Sequence, residues 1–288
     1  MKQLICTISH NEEIMPDVHL ISFESPYIAN TAQPGQFITI SCNDVLFRRP
    51  FSIHEVNSGQ VSILFQRVGR GTTWLSKQGQ GTKLDILGPL GSAFKIESQS
   101  KHLLLVGGGI GIAPLIFLIQ RTLPEHSVTI VHGASTTSLI YPLSSVFIHS
   151  STERDRKDSS SVLNSRFHYV TATEDGSSGH NGMATDVVVD HLNWADQVFA
   201  CGPTSMYMTM SALCKNMQIA KSVNEPIELY EDNKTKLQRC QISLEMVMGC
   251  GIGSCYGCSI NTKDGMRTVC RDGPVFELDQ VIWNRILI

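Results

Sequence analysis

The chain has no long uninterrupted hydrophobic run. Its most apolar stretch, Leu103 to Ile119, is broken by Gly107, Gly108, Gly109, Gly111 and Pro114. That pattern reads as strand, loop and helix, and it excludes a membrane-spanning helix there. A charge excess is missing too. Twenty-three Lys and Arg against 26 Asp and Glu leave −3, which gives no electrostatic hold on nucleic acid or an anionic membrane surface. The opening residues, Met1 to His10, lack the apolar core of a secretory signal, so the cytoplasm is the expected compartment. Hydrolytic constellations are absent: no serine stands in G-x-S-x-G, and the ten histidines contain no H-E-x-x-H. Most of these histidines are expected at the surface or as satisfied core residues. Asn233-Lys-Thr235 matches a glycosylation acceptor, which without secretion is a chance match.

Cysteine, by contrast, is plentiful. The count is nine, an odd number that argues against a disulfide framework. Cys6, Cys42, Cys201, Cys214 and Cys240 are scattered and read as buried thiols. The other four are grouped, in Cys250-Gly-Ile-Gly-Ser-Cys255-Tyr-Gly-Cys258 and then Cys270. The first three have the C-x4-C-x2-C spacing of plant-type [2Fe-2S] proteins, with a fourth thiolate farther on. Gly249, Gly251, Gly253 and Gly257 allow positive φ and a close approach of the backbone to inorganic sulfide. N–H groups in such a loop point toward the negative cluster. A structural zinc also takes four thiolates, usually as two short pairs rather than three plus one.

At 288 residues there is room for two or three domains. Residues 1–97 read as all-β, with short strands at Leu4–Ile8, Val18–Phe23, Gln36–Ser41, Val61–Gln66 and Lys83–Leu87 separated by turn residues. This spacing suggests a small antiparallel barrel. From residue 98 to 222 the pattern becomes alternating strand and helix. Strands are expected at Leu103–Val106, Ser127–Val131, Phe167–Thr171 and Gln197–Cys201, with helices at Ile112–Arg121 and Thr204–Asn216. Alternation of this kind predicts a parallel sheet covered on both faces. Within it, residues 144–164 are polar and aperiodic, and the Ser-rich run at 150–164 reads as a mobile surface insertion. The last segment, 223–288, carries the cysteines, with short strands expected at Ile227–Tyr230, Gln241–Met246 and Met266–Val269. It is too small for a core of its own, so a cluster would supply the missing stability. The fold class is therefore multidomain, β followed by α/β, with a small cysteine-bearing tail.

Three glycine- or arginine-bearing motifs point to nucleotide chemistry. In Arg48-Arg49-Pro50-Phe51-Ser52-Ile53, a guanidinium can fork onto a diphosphate while the Ser52 hydroxyl bonds a heterocyclic nitrogen; the bland alternative is a solvated arginine. In Gly69-Arg70-Gly71-Thr72-Thr73-Trp74-Leu75, a loop enters a helix N-terminus that favours phosphate; alternatively Thr72 only caps the helix over a Trp74–Leu75 core. Gly107-Gly108-Gly109-Ile110-Gly111-Ile112-Ala113-Pro114 follows a strand and opens a helix, as a dinucleotide pyrophosphate site does, though a plain tight turn has the same composition. Cys201-Gly202-Pro203 ends a strand at the sheet's carboxyl edge, where Cys201 lines a nicotinamide pocket or is an inert core thiol.

In this order, and with Ser243-Leu-Glu245 and Val269-Cys270-Arg271-Asp272-Gly273-Pro274-Val275-Phe276, the chain resembles the electron-transfer subunits of class 1B dihydroorotate dehydrogenases, of the ferredoxin-NADP reductase superfamily. Thr173-Glu-Asp-Gly176, Gly179-His180 and Thr185-Asp186 are similar to that family's middle region. The resemblance implies FAD in the barrel, a [2Fe-2S] cluster in the tail and NAD+ as acceptor. It implies a partner as well: a separate FMN-containing catalytic subunit, in a heterotetramer of two plus two. It implies that Arg49, Pro50, Phe51, Ser52, Leu64, Phe65, Gln66, Gly71 and Thr72 bind FAD, with Ser52 near flavin N5. Gly107, Gly108, Gly109 and Gly111 then serve NAD+, and Cys250, Cys255, Cys258 and Cys270 hold iron. Two departures stand out. Val247 replaces an Arg often found before the first cysteine, and Ser135 replaces an Arg after the second α/β strand, which favours NAD over NADP. A related reductase feeding ferredoxin or a hydrogenase is the alternative. A zinc-stabilised binding protein without flavin is the non-enzymatic one.

Overall fold

The computed structural model describes residues 1–43, 45–123, 125–143, 166–216, 236–237 and 239–285. The Ser-rich segment 150–164, the expected strand Ile227–Tyr230, Asn233–Thr235 and the side chain of Cys214 lie outside the described residues.

The first third forms a closed antiparallel barrel. Its elements are β1 (Lys2–Met15), β2 (Val18–Glu24), helix α1 (Pro26–Thr31), β3 (Phe37–Ile40), β4 (Arg49–Asn57), β5 (Gln60–Gln66), helix α2 (Arg70–Ser76) and β6 (Lys83–Leu90). Around the barrel the order is β1-β2-β5-β4-β3-β6. Inward positions carry β-branched and aromatic residues that suit a pleated surface. Ile21, Phe23, Ile38, Ile40, Ile53 and Ile63 are wholly buried. Closure leaves no open edge. The sequence gives no alternation signal for β4, because Arg49-Pro50 opens it. Proline is tolerated at a strand's first residues, and Pro50 there pairs with Thr39 of β3.

The next elements are β7 (His102–Gly108), α3 (Ile112–Thr122), β8 (Ser127–Ala134), β9 (Phe167–Thr173), the short β10 (His180–Asn181), α4 (Ala184–Leu192), β11 (Gln197–Cys201) and α5 (Thr204–Asn216). β7 is central, parallel to β8 on one side and β11 on the other. Its Leu103–Val106 run is fully buried, as expected for a parallel strand covered on both faces. Helix α3 is buried along nearly its whole length because it faces both the sheet and the barrel. Phe117 joins the barrel core. The Gln120 amide donates to Val56 O (2.7 Å) and accepts from Val56 N–H (3.2 Å).

The tail holds β12 (Gln241–Ser243), the hairpin β13 (Ser259–Thr262) and β14 (Gly265–Thr268), helix α6 (Val269–Asp272) and β15 (Val275–Glu277). β12 adds parallel to β11, and β15 adds antiparallel to β12, so one seven-stranded sheet runs β10-β9-β8-β7-β11-β12-β15. Leu244, Cys258, Ile260, Val269 and Phe276 pack in one cluster with Val106, Val188 and Tyr207. The tail thus borrows the core of the preceding sheet. Among the described residues no helix is long and apolar enough to cross a membrane.

Candidate functional site

Gly251 (φ +72) and Gly253 (φ +82) turn the chain back on itself between Cys250 and Cys255. Neither has room for a side chain. A Cβ on Gly253 would lie 2.9 Å from Arg271, and one on Gly251 would lie 3.0 Å from Thr39 Cγ2. The tight path points N–H groups at sulfur. Cys250 Sγ accepts from Ile252 (3.5 Å), Ser254 (3.2 Å) and Cys255 (3.4 Å). Cys270 Sγ accepts from Gly253 (3.0 Å), Cys258 Sγ from Cys270 (3.4 Å) and Cys255 Sγ from Gly257 (3.4 Å). Burial works against ionising Cys250, but these donors and the neighbouring Cys255 thiol outweigh it and draw its pKa down to about 6. Burial, then the adjoining Cys258, pushes Cys270 the other way.

Cys250 interacts with the Cys255 thiol, and Cys270 with both Cys258 and Cys250. Among the described residues no three Cys, His, Asp or Glu groups converge on one point fit for a single metal ion. Four thiols under a canopy of N–H donors fit a two-iron, sulfide-bridged core, whose negative charge those donors stabilise. They fit a single tetrahedral zinc less well. The loop leans on the barrel, since Gly251 abuts Thr39 of β3 and Leu90 of β6.

Arg49, Pro50, Phe51 and Ser52 begin β4, with Ser52 opposite Phe37 and Pro50 opposite Thr39. The two arginines separate here. Arg48 is engaged with the barrel, its Nη2 lying 2.6 Å from Asp85 Oδ2 and its Nη1 donating to Asp85 O at 2.9 Å. Arg49 instead lies along α2, where a Cβ on Gly71 would come within 3.0 Å of Arg49 Cγ. Arg49 and Gly71 are therefore neighbours, as a shared diphosphate would require. The Thr72 hydroxyl accepts from Gly69 N–H (3.1 Å) and Val68 N–H (3.0 Å), closing the start of α2, while Leu75 is buried in the barrel core. Leu64 and Phe65 are buried and Gln66 is exposed. The Phe65 ring meets Phe51 edge-on at 5.5 Å. The Thr39 hydroxyl, between the RPFS strand and the cysteine loop, is buried without a hydrogen-bond partner among the described residues.

At the sheet's carboxyl edge, Gly107 and Gly108 end β7 and Gly109–Gly111 form a 3-10 turn into α3. This turn packs directly on Cys201-Gly202-Pro203. A Cβ on Gly111 would sit 2.2 Å from Cys201 O, and one on Gly108 would sit 2.7 Å from Pro203 Cδ. Gly109 (φ +52) faces open space. The Cys201 thiol is buried, and burial followed by the nearby Glu245 pushes it up to about 12, so it is a neutral thiol and no nucleophile. It donates to Ser243 O at 3.5 Å. Tyr207 OH donates to the same carbonyl at 2.7 Å and accepts Gly202 N–H at 2.9 Å. Sequence reasoning missed Tyr207, Thr39 and the buried histidines His54 and His132. No motif marks them, and only the fold brings them to the site.

A sequence profile described as the iron-sulfur cluster binding domain of dihydroorotate dehydrogenase B matches residues 245–282. The dihydroorotate dehydrogenase B (NAD(+)) electron transfer subunit of Desulforamulus reducens is 31% identical, over 94% of this chain and 95% of that one. Its counterpart in Shouchella clausii is 32% identical over 98% of each. Among solved structures, an NADH-dependent reduced ferredoxin-NADP oxidoreductase studied for flavin-based electron bifurcation aligns with a TM-score of 0.72 at 26% identity, covering 98% of this chain and 91% of that one.

Proposed function

Because the chain belongs to the family of dihydroorotate dehydrogenase B electron transfer subunits, we propose that it takes electrons from a separate FMN-containing, dihydroorotate-oxidising subunit and passes them through a [2Fe-2S] centre and FAD to NAD+, on the route to UMP. The observation that carries this reading is the set of backbone N–H donors aimed at four cysteine sulfurs, in a loop that abuts the barrel strand paired with Arg49–Ser52. Bound flavin supplies the exchange between single electrons and hydride. The chain's own residues supply position and charge. In this reading Arg49 and the Gly71–Thr72 turn hold the FAD diphosphate, and the Ser52 hydroxyl donates at flavin N5. Phe51, Leu64, Phe65 and Gln66 border the ring, Gly107–Gly111 receive the NAD+ pyrophosphate, and Cys201 edges the nicotinamide. Cys250, Cys255, Cys258 and Cys270 hold the irons. Residues 1–97, 98–222 and 223–288 are then the flavin, dinucleotide and cluster units, and two such chains serve two catalytic subunits. Buried cysteines kept as thiols at Cys6, Cys42 and Cys201 fit a reducing, cytoplasmic compartment.

A second reading, a reductase serving ferredoxin, draws on the ferredoxin-NADP oxidoreductase likeness and on the exposed Val247, where the family resemblance leads one to expect Arg. One experiment separates them. Protein purified without oxygen is assayed for iron, sulfide and flavin, and for NAD+ reduction driven by dihydroorotate with the co-purifying FMN protein. Turnover with dihydroorotate supports the first reading. Turnover only with reduced ferredoxin supports the second, and iron-free, flavin-free protein sinks both.

A further inference from the structure

His132 is the last polar residue of β8 and has no exposed surface. Its ring spans two structures. Nε2 lies 3.1 Å from Gly109 O in the glycine turn, and Nδ1 lies 2.8 Å from Tyr169 OH of β9 and 3.4 Å from Tyr141 N–H. The partners fix the tautomer. Gly109 O can only accept and Tyr141 N–H can only donate, so the proton is on Nε2 and Nδ1 is the acceptor. Tyr169 OH then gives its one proton to Nδ1, and its oxygen lies 3.1 Å from Tyr141 O. The Tyr141 ring also packs on His54 of β4, with centroids 5.5 Å apart, so this knot reaches the strand that carries Ser52.

Gly109 O accepts Ile112 N–H as well, within the 3-10 turn. Its two lone pairs are thereby both taken on the inner side. A planar trans peptide points its N–H opposite to its C=O. Pinning the Gly109 carbonyl inward therefore aims the Ile110 N–H away from His132. Gly109 at φ +52 has no backbone preference strong enough to do this unaided.

We propose that His132 is a positioning residue for the dinucleotide half-site: its Nε2–H holds the Gly109 carbonyl so that the Gly109–Ile110 peptide presents its N–H to the pyrophosphate of NAD+. The proposal rests on reading Gly107–Gly111 as the NAD+ turn. It adds that the turn's orientation is set from β8, by a residue that never touches the ligand.

The test uses the assembled holoprotein and three variants, each checked for unchanged flavin and iron content. A glutamine amide reaches the place of Nε2, whereas an asparagine amide reaches only that of Nδ1. His132→Gln is expected to stay within about twofold of the parent in NAD+ dissociation constant by calorimetry. His132→Asn is expected to weaken NAD+ about fivefold, as one lost hydrogen bond does, and to raise the NADH KM equally in dye reduction while kcat holds. Equal behaviour of the two variants, whether unchanged or both impaired, overturns the proposal and leaves His132 as core filling. If His132→Asn loses flavin, Tyr169→Phe replaces it; a two- to threefold weakening (about half that effect) is expected, and none overturns the proposal. Gly109→Asp guards the premise, because it sets a carboxylate in open space at a φ that Asp tolerates. If Gly109→Asp leaves NAD+ binding intact, the dinucleotide does not sit on this turn and that reading falls. If it weakens binding while the His132 pair behaves alike, only the role of His132 falls.

Discussion

Adjacent arginines with opposite employment show how much a single side chain's neighbours decide. Arg48 is paired with Asp85 across the barrel, both partners being largely covered. Burial works against the ionised Asp85, yet hydrogen bonds from Arg48 and Gln3 hold its pKa below the usual carboxylate value. Arg48→Ala should therefore lower stability by about 1 kcal/mol and leave FAD affinity alone. Arg49→Ala should do the reverse, loosening FAD at least tenfold, since charge-assisted diphosphate contacts contribute about 1.5–3 kcal/mol. Thermal melts and flavin titration read the two effects. Ser52→Ala should slow NADH-driven FAD reduction about tenfold in stopped-flow, with the iron–sulfur absorbance intact; equal rates refute a hydride-step role for that hydroxyl. The motif alone leaves both arginines open and the family resemblance points to Arg49; what engages Arg48 is visible only in the fold, because Asp85 lies 37 positions beyond it. Ser52 and the four cysteines are legible because their spacing is local. His132, Tyr207 and Thr39 are not, because their partners come from other elements.

At the level of elements, two strands carry histidines that the fold keeps neutral. Burial alone lowers His54 of β4 to about 3, with neither ring nitrogen bonded among the described residues. Burial lowers His132 of β8 to about 4, partly offset by its bond to Gly109. Both folded values lie below the unfolded value near 6.5. As pH falls through 6.5 the unfolded chain takes up protons that the native one refuses. Stability is therefore full above about pH 6.5 and is lost on acidification, by up to about 1.4 kcal/mol per pH unit for each histidine, until the folded pKa is reached. Denaturant midpoints at pH 7, 6 and 5 should fall steadily, and His54→Leu should remove about half of that slope. An unchanged slope would mean that water reaches His54. The expectation that most histidines lie at the surface or are satisfied in the core covers His132, while His54 is the buried exception, its ring nitrogens unbonded among the described residues.

For the whole molecule, the barrel and the parallel sheet follow from periodicity and turn residues, while the tail's attachment does not. β12 (three residues) falls within the expected strand Gln241–Met246 while β15, also three residues, carries no pattern, and the pairing of β12 with β11 and of β15 with β12 is visible only in three dimensions. That attachment changes an energetic expectation. A tail without its own core would unfold when iron is removed. A tail sharing Val106, Val188 and Tyr207 with the sheet should stay folded. Anaerobic chelation is expected to raise amide exchange in residues 249–258 while strands β12 and β15 keep their protection and melting stays cooperative. Loss of protection along β12 and β15 would mean that the metal, and not the sheet, holds the tail.

Tyr207 gives this arrangement a practical edge. Its one hydroxyl grips Gly202 on one side and Ser243 on the other, so the seam between β11 and β12 is stitched from within. A cassette cut at that seam and grafted onto a foreign reductase would arrive without its stitch. Chimeras made to rewire such enzymes should therefore carry α5 and β11 along with the metal-binding end, or rebuild that phenol's two contacts in the host.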